Sequence, residues 1–171
     1  ATGDRSALSA TYGVTGCYFD SLPVPSKGYA LGFELAVGTT LGQDRHPFTR
    51  TVGRWLGIQP RETGRIALRA EAGAVLAKDT ARIPATQLFR TGGDNTVRGY
   101  GYRDIGIPLA NGVIGPGRYL AVGSLEWQRP MMLKGRPSAF ENTVFIDAGA
   151  VSAQPQDLRP SVGIVTRARW R

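Results

Sequence analysis

Hydrophobic and polar positions alternate with a period of two along most of this chain, the pattern of extended strands with one apolar face. From Gly28 to Gly38 the odd positions are Tyr29, Leu31, Phe33, Leu35 and Val37, whereas the even ones are Gly28, Ala30, Gly32, Glu34, Ala36 and Gly38. Residues 64–76 divide into Ile66, Leu68, Ala70, Ala72, Ala74 and Leu76 against Arg65, Arg69, Glu71 and Gly73. Residues 119–129 set Tyr119, Ala121, Leu125 and Trp127 against Leu120, Val122, Ser124, Glu126 and Gln128. Residues 143–151 set Val144, Ile146, Ala148 and Ala150 against Thr143, Phe145, Asp147 and Gly149. The last segment opposes Val162, Ile164, Ala168 and Trp170 to Ser161, Gly163, Arg167 and Arg169, and a first strand over 6–19 is apolar at Leu8, Ala10, Tyr12, Val14 and Tyr18. Residues 48–58 are the least regular, because Arg50 and Arg54 share a register with Phe48, Val52 and Leu56.

These segments predict about seven strands, each near the ~9–11 residues a tilted strand needs to cross a bilayer. A soluble β-sandwich shows the same alternation and stands as the alternative. The second face separates the two, being made of Gly and Ala with isolated Arg, Glu and Asp rather than the Lys, Ser and Thr of a solvated sheet. The pattern favours an all-β transmembrane antiparallel β-barrel with a polar lumen. Trp127 and Trp170 are then expected in the interface belt or against lipid. An odd number of strands does not close a bacterial single-chain barrel, and Arg169-Trp170-Arg171 stop in mid-strand. The expectation is a partial barrel over 1–171.

Between the strand ending near Ala77 and the one starting near Arg118, about forty residues lack any sustained period. Loops beyond ~12–15 residues without structure of their own are uncommon and usually functional or disordered. This one carries Phe89, Val97, Tyr100, Tyr102 and Ile105, with glycines at 92, 93, 99, 101 and 106. Apolar groups of that kind are what a solvated tail lacks, so a loop folded back onto the barrel is expected.

Composition narrows the function. Gly and Pro, 23 and 11 of 171 residues, suit many strands and turns, and no apolar run approaches the ~20 residues of a membrane helix. The formal net charge is +8, a balance that raises nucleic acid and anionic lipid as partners. The cations, mostly arginine, are spread along the chain instead of forming a basic helix or patch, so no nucleic-acid role is expected. Cys17 is the only cysteine and His46 the only histidine, which argues against a disulfide framework, a zinc site and a His-dependent triad. Gly92-Gly93-Asp94-Asn95 lacks the Lys-Ser/Thr of a phosphate-cradling loop. Glu126 and Asp147 as a catalytic carboxylate pair would suit glycoside hydrolysis, but that reading leaves both the strand register and the loop without a purpose. No enzyme activity, cofactor or metal is expected.

The stretch Leu88-Phe89-Arg90-Thr91-Gly92-Gly93-Asp94-Asn95-Thr96-Val97-Arg98-Gly99-Tyr100-Gly101-Tyr102 resembles the signature loop of the outer-membrane protein assembly factor superfamily, the bacterial surface antigen barrels. The likeness continues in Ser124-Leu125-Glu126-Trp127, in Phe145-Ile146-Asp147-Ala148-Gly149 and in Ser161-Val162-Gly163-Ile164. Upstream, Phe19-Asp20-Ser21-Leu22-Pro23-Val24-Pro25-Ser26-Lys27-Gly28-Tyr29 looks like the family's periplasmic turn. Within the superfamily the motifs are most similar to the TamA branch, the translocation and assembly module subunit, and then to BamA-like and two-partner-secretion transporters. The resemblance implies seven of a presumed sixteen strands, with POTRA repeats, the first strands and the last two outside this chain. It also implies location in the bacterial outer membrane and a role in inserting or secreting outer-membrane or autotransporter proteins. The implied partners are those client proteins, an inner-membrane or periplasm-spanning component and the lipid bilayer. Carried over onto this chain, the loop motif is Val97, Arg98, Gly99 and Tyr100, with Arg98 held in the lumen by Glu126 and Asp147. Both acids fall on the polar faces assigned from strand register alone.

Overall fold

A computed structural model describes residues 6–22, 24–41 and 45–170. Seven long strands form one antiparallel meander: β1 (Ser6–Phe19), β2 (Gly28–Leu41), β3 (Pro47–Arg61), β4 (Gly64–Ala77), β7 (Tyr119–Leu133), β8 (Arg136–Ser152) and β9 (Ser161–Trp170). Two short strands, β5 (Ile107–Pro108) and β6 (Ile114–Gly115), pair within the long loop. Each long strand bonds to the next along the chain, so β4 lies beside β7 across residues 78–118. β1 and β9 are the two edges of the sheet.

The connections sort by end. The β1–β2, β3–β4 and β7–β8 connections lie at one mouth, while the β2–β3, β4–β7 and β8–β9 connections lie at the other. One of the two-residue turns, Lys134-Gly135, has positive φ at both residues (50° and 76°), the twist that lets a two-residue hairpin follow the right-handed coil of its strands.

The sheet wears its apolar side outward. Tyr12, Val14, Leu31, Phe33, Leu68, Leu125, Trp127, Val144 and Ile146 are all exposed, whereas Ser124, Gln128, Glu141, Thr143 and Asp147 are buried. Water would drive the opposite arrangement, and lipid drives this one. A soluble sandwich would bury that outward face against a second sheet; here a single long-stranded sheet leaves it open. Arg61 and Arg129 are exposed in the outward register near the tight-turn mouth, where headgroups accept them.

The irregular segment 48–58 takes one register throughout, with Phe48, Arg50, Val52, Arg54, Leu56 and Ile58 in the buried-side alternation and Trp55 outward. Its mixed chemistry has a local cause, because apolar groups from the loop settle on part of the lumen wall. Phe48 and Val52 on β3, Val75 on β4, Leu120 and Val122 on β7 and Val151 on β8 enclose Ala81, Ile83, Phe89, Val97 and Ile105 of the loop. The core of the molecule therefore lies inside the curve of the sheet. β7 and β8 also extend through 130–142, which the alternation leaves out, because Pro130 sits at a register shift and a bulge interrupts the period of two. The faces expected for Arg167, Arg169, Ala168 and Trp170 concern side chains outside the described residues.

Candidate functional site

The loop is built to present Val97 and Arg98 to the wall. Phe89 and Gly117 exchange both backbone bonds at 2.8 Å, and Thr91 and Ile105 do so at 3.0 and 2.9 Å, which closes the loop into a narrow ladder. Beyond that ladder the chain reverses at Gly93, whose carbonyl accepts from Thr96 N–H at 3.1 Å, while the Thr96 hydroxyl accepts from Gly92 N–H at 3.0 Å. Gly92 and Gly93 have φ of 111° and 106°, a region that side chains beyond glycine rarely enter. The turn delivers Val97, fully buried, and Arg98 onto β7, β8 and β9.

Arg98 is gripped through both backbone and side chain. Its N–H donates to Asp147 Oδ2 at 2.9 Å, its Nε to the same oxygen at 2.6 Å, and its Nη2 to Asp147 Oδ1 at 2.7 Å. Nη1 pairs with Glu126 Oε1 at 2.6 Å, and Nη2 also reaches Ser124 Oγ at 2.9 Å. Ser124 in turn donates to Asp147 Oδ1 at 2.6 Å. The guanidinium lies 3.4 Å from the centre of the Phe145 ring, within cation–π range. Asp147 is wholly buried and the Arg98 side chain 12% exposed. A planar fork with five donors fits two carboxylates and a hydroxyl at once, and a lysine ammonium does not.

Gly99 continues at φ 94°, and Tyr100, partly exposed, donates weakly to the Val162 carbonyl at 3.4 Å. The structure thus brings Arg98, Glu126 and Asp147 together, with Val97 packed beside them and Gly99 and Tyr100 leading away along β9.

Three wall glycines and three side chains complete the site without having been singled out for it. A Cβ on Gly149 would stand 2.4 Å from Val97 Cγ2, one on Gly163 2.2 Å from the Arg98 carbonyl oxygen, and one on Gly73 2.6 Å from the Phe89 ring. Each marks where the loop touches backbone. Ser124, Phe145 and Phe89 supply the hydroxyl, the ring and the apolar anchor. The even–odd pattern already places Ser124, Phe145, Gly73, Gly149 and Gly163 on the lumen side, but nothing local says what they meet.

Further charges pair along the same wall. Glu34 holds Arg50 and, at 3.5 Å, Arg54, which also reaches Glu71 at 3.3 Å. Arg65 donates to Gln128 Oε1 at 2.5 Å, and Gln128 Nε2 donates to Glu126 at 2.8 Å. Among the described residues no cluster of His, Cys, Asp and Glu has metal-site geometry. A family model described as an Omp85 superfamily domain matches residues 1–168.

Proposed function

The chain belongs to the Omp85 superfamily, and from that premise we propose that its seven strands are part of the barrel of an outer-membrane insertase or translocase of the TamA branch. Superfamily members are assembly and transport factors of the bacterial outer membrane, and the outward apolar face suits that location. In this reading the barrel helps insert outer-membrane or autotransporter proteins, together with a component in the inner membrane or periplasm. The edges β1 and β9 pair with further strands of a larger barrel, since an open edge in lipid leaves backbone groups unsatisfied. POTRA repeats would precede that barrel. Client strands would engage a seam elsewhere in it by strand addition.

The observation that carries the proposal is the grip on Arg98. A loop guanidinium that satisfies two wall carboxylates and a hydroxyl pins the loop inside the lumen, and the pinned loop braces the wall against which clients assemble. Replacing Arg98 by Ala or Lys in the full-length protein tests this. Client assembly should fall most for Arg98→Ala and partly for Arg98→Lys, and wild-type assembly in both would sink the proposal. A client range without autotransporters would move the chain from the TamA branch to the BamA-like or two-partner-secretion branches.

A further inference from the structure

A chain of side chains runs from the Arg98 grip toward the opposite mouth. Glu126 uses one oxygen for Arg98 and the other for Gln128 Nε2. The Gln128 carbonyl accepts from Arg65 Nε, and Arg65 Nη1 donates to the Pro25 carbonyl at 2.8 Å. The remaining Arg65 nitrogen lies 3.7 Å from Glu141, which is almost fully buried. Pro25 belongs to the turn between β1 and β2, closed by Asp20, whose Oδ1 accepts from Ser26 and Lys27 N–H at 3.0 Å each. Val24 and Pro25 of that turn face the lumen, lining with Leu56, Ile58, Arg65 and Glu126 a cavity of about 320 Å³. The loop at one mouth and the turn at the other are thus joined through four wall and turn residues, Glu126, Gln128, Arg65 and Pro25.

We infer that Arg65 is a positioning residue that couples the docking of the Arg98 loop to the order of the β1–β2 turn. The inference rests on the proposal that Arg98 pins the loop. The polarity of the chain is set at Gln128, whose amide must offer its oxygen to a guanidinium and its nitrogen to a carboxylate. When Arg98 withdraws, Glu126 loses its cation in a partly desolvated lumen, where an unpaired carboxylate is costly. Ala67 is the residue opposite Glu126 on β4, so Arg65 and Arg69 are its diagonal neighbours, within reach of long side chains. Arg65 turns to Glu126 only by releasing Gln128 and Pro25. The turn then loses its tie to the wall. Arg69, which makes no ion pair among the described residues, is the competing cation, and removing it strengthens the coupling.

The test is hydrogen exchange of the full-length protein in lipid nanodiscs, following loop residues 94–104 and turn residues 20–27 in one experiment. Arg98→Ala should accelerate exchange in both segments, the turn by about fivefold or more. In an Arg65→Gln background the turn should already exchange fast, and adding Arg98→Ala should change it by less than about twofold. Glu126→Gln, which removes the charge that draws Arg65 across, serves where Arg65→Gln does not fold: the loop, still held by Asp147, should respond to Arg98→Ala while the turn response falls away. Arg65→Lys, unable to serve Gln128 and Pro25 together, should restore turn protection only in part. Arg69→Gln should enlarge the turn response. A loop that responds with an unmoved turn overturns the coupling and leaves the pinning proposal standing. If neither segment responds, both fail together.

Discussion

Arg98→Ala removes four polar side-chain contacts from the lumen wall, the paired bonds to Asp147, the ion pair to Glu126 and the bond to Ser124, together with the cation–π contact to Phe145. Breaking a buried pair by deleting one partner costs ~3–5 kcal/mol. Asp147 keeps the Ser124 hydroxyl and, while the loop stays docked, the backbone N–H of residue 98, which pulls the figure to the low end. A loss of about 3 kcal/mol is expected, roughly a hundredfold in the ratio of closed to open loop. The apolar contacts decide how far the loop then goes. Phe89, Val97 and Ile105 are each buried, and burying such side chains is worth ~1.5–3 kcal/mol apiece, together more than the clamp. The variant should therefore loosen residues 94–104 locally while the ladder at Phe89 and Thr91 holds. Arg98→Lys keeps the charge but reaches one carboxylate at a time, so its effect should be about half as large in free energy. Limited proteolysis and amide exchange of the full-length protein in bilayers measure both. Wild-type protection in Arg98→Lys alone would refute the argument from fork geometry, and wild-type protection in both would refute the clamp itself.

The wall glycines give a graded set: Gly149→Ala and Gly163→Ala place a Cβ at 2.4 and 2.2 Å from loop atoms, whereas Gly123→Ala meets nothing within 4 Å. The first two should increase loop proteolysis markedly and the third should match the parent protein. On the outward face, Ile146 lies between Leu125 and Ile164 on the neighbouring strands, and Ile146→Arg should cost ~2–4 kcal/mol near the midplane. Thr15→Arg in the inward register should stay within about 1 kcal/mol; urea titration of folding into vesicles compares them. At the β1–β2 turn, hydrogen bonds from the backbone, Lys27 first and also Ser26, hold the Asp20 carboxyl below its ordinary range. A depressed folded value means a stabilisation present above the ordinary range and lost as pH falls through it and the folded value. Exchange of the Ser26 and Lys27 amides should accelerate over that acidic window in the parent and show no such step in Asp20→Asn.

The period of two carries the all-β assignment and the split between lipid and lumen faces, because a strand sends alternate side chains to opposite sides and lipid tolerates charge on only one of them. That is why the inward register of Glu34, Arg65, Glu71, Glu126 and Asp147 is legible from local sequence, and why the bulge near Pro130, which breaks the period, hides the hairpin of β7 and β8. The loop's apolar content also announces that it packs somewhere. Where it packs depends on contacts between residues far apart along the chain: Arg98 with Asp147, Phe89 with Gly73, Val97 with Gly149. Only the paired register of β4, β7, β8 and β9 brings those positions under the loop, and it alone explains why Phe48, Val52, Leu120 and Val122 are apolar on a lumen wall. The link from Glu126 through Gln128 and Arg65 to Pro25 belongs to the same level. It is made by side chains that are unremarkable singly and become a chain once neighbouring strands set them side by side.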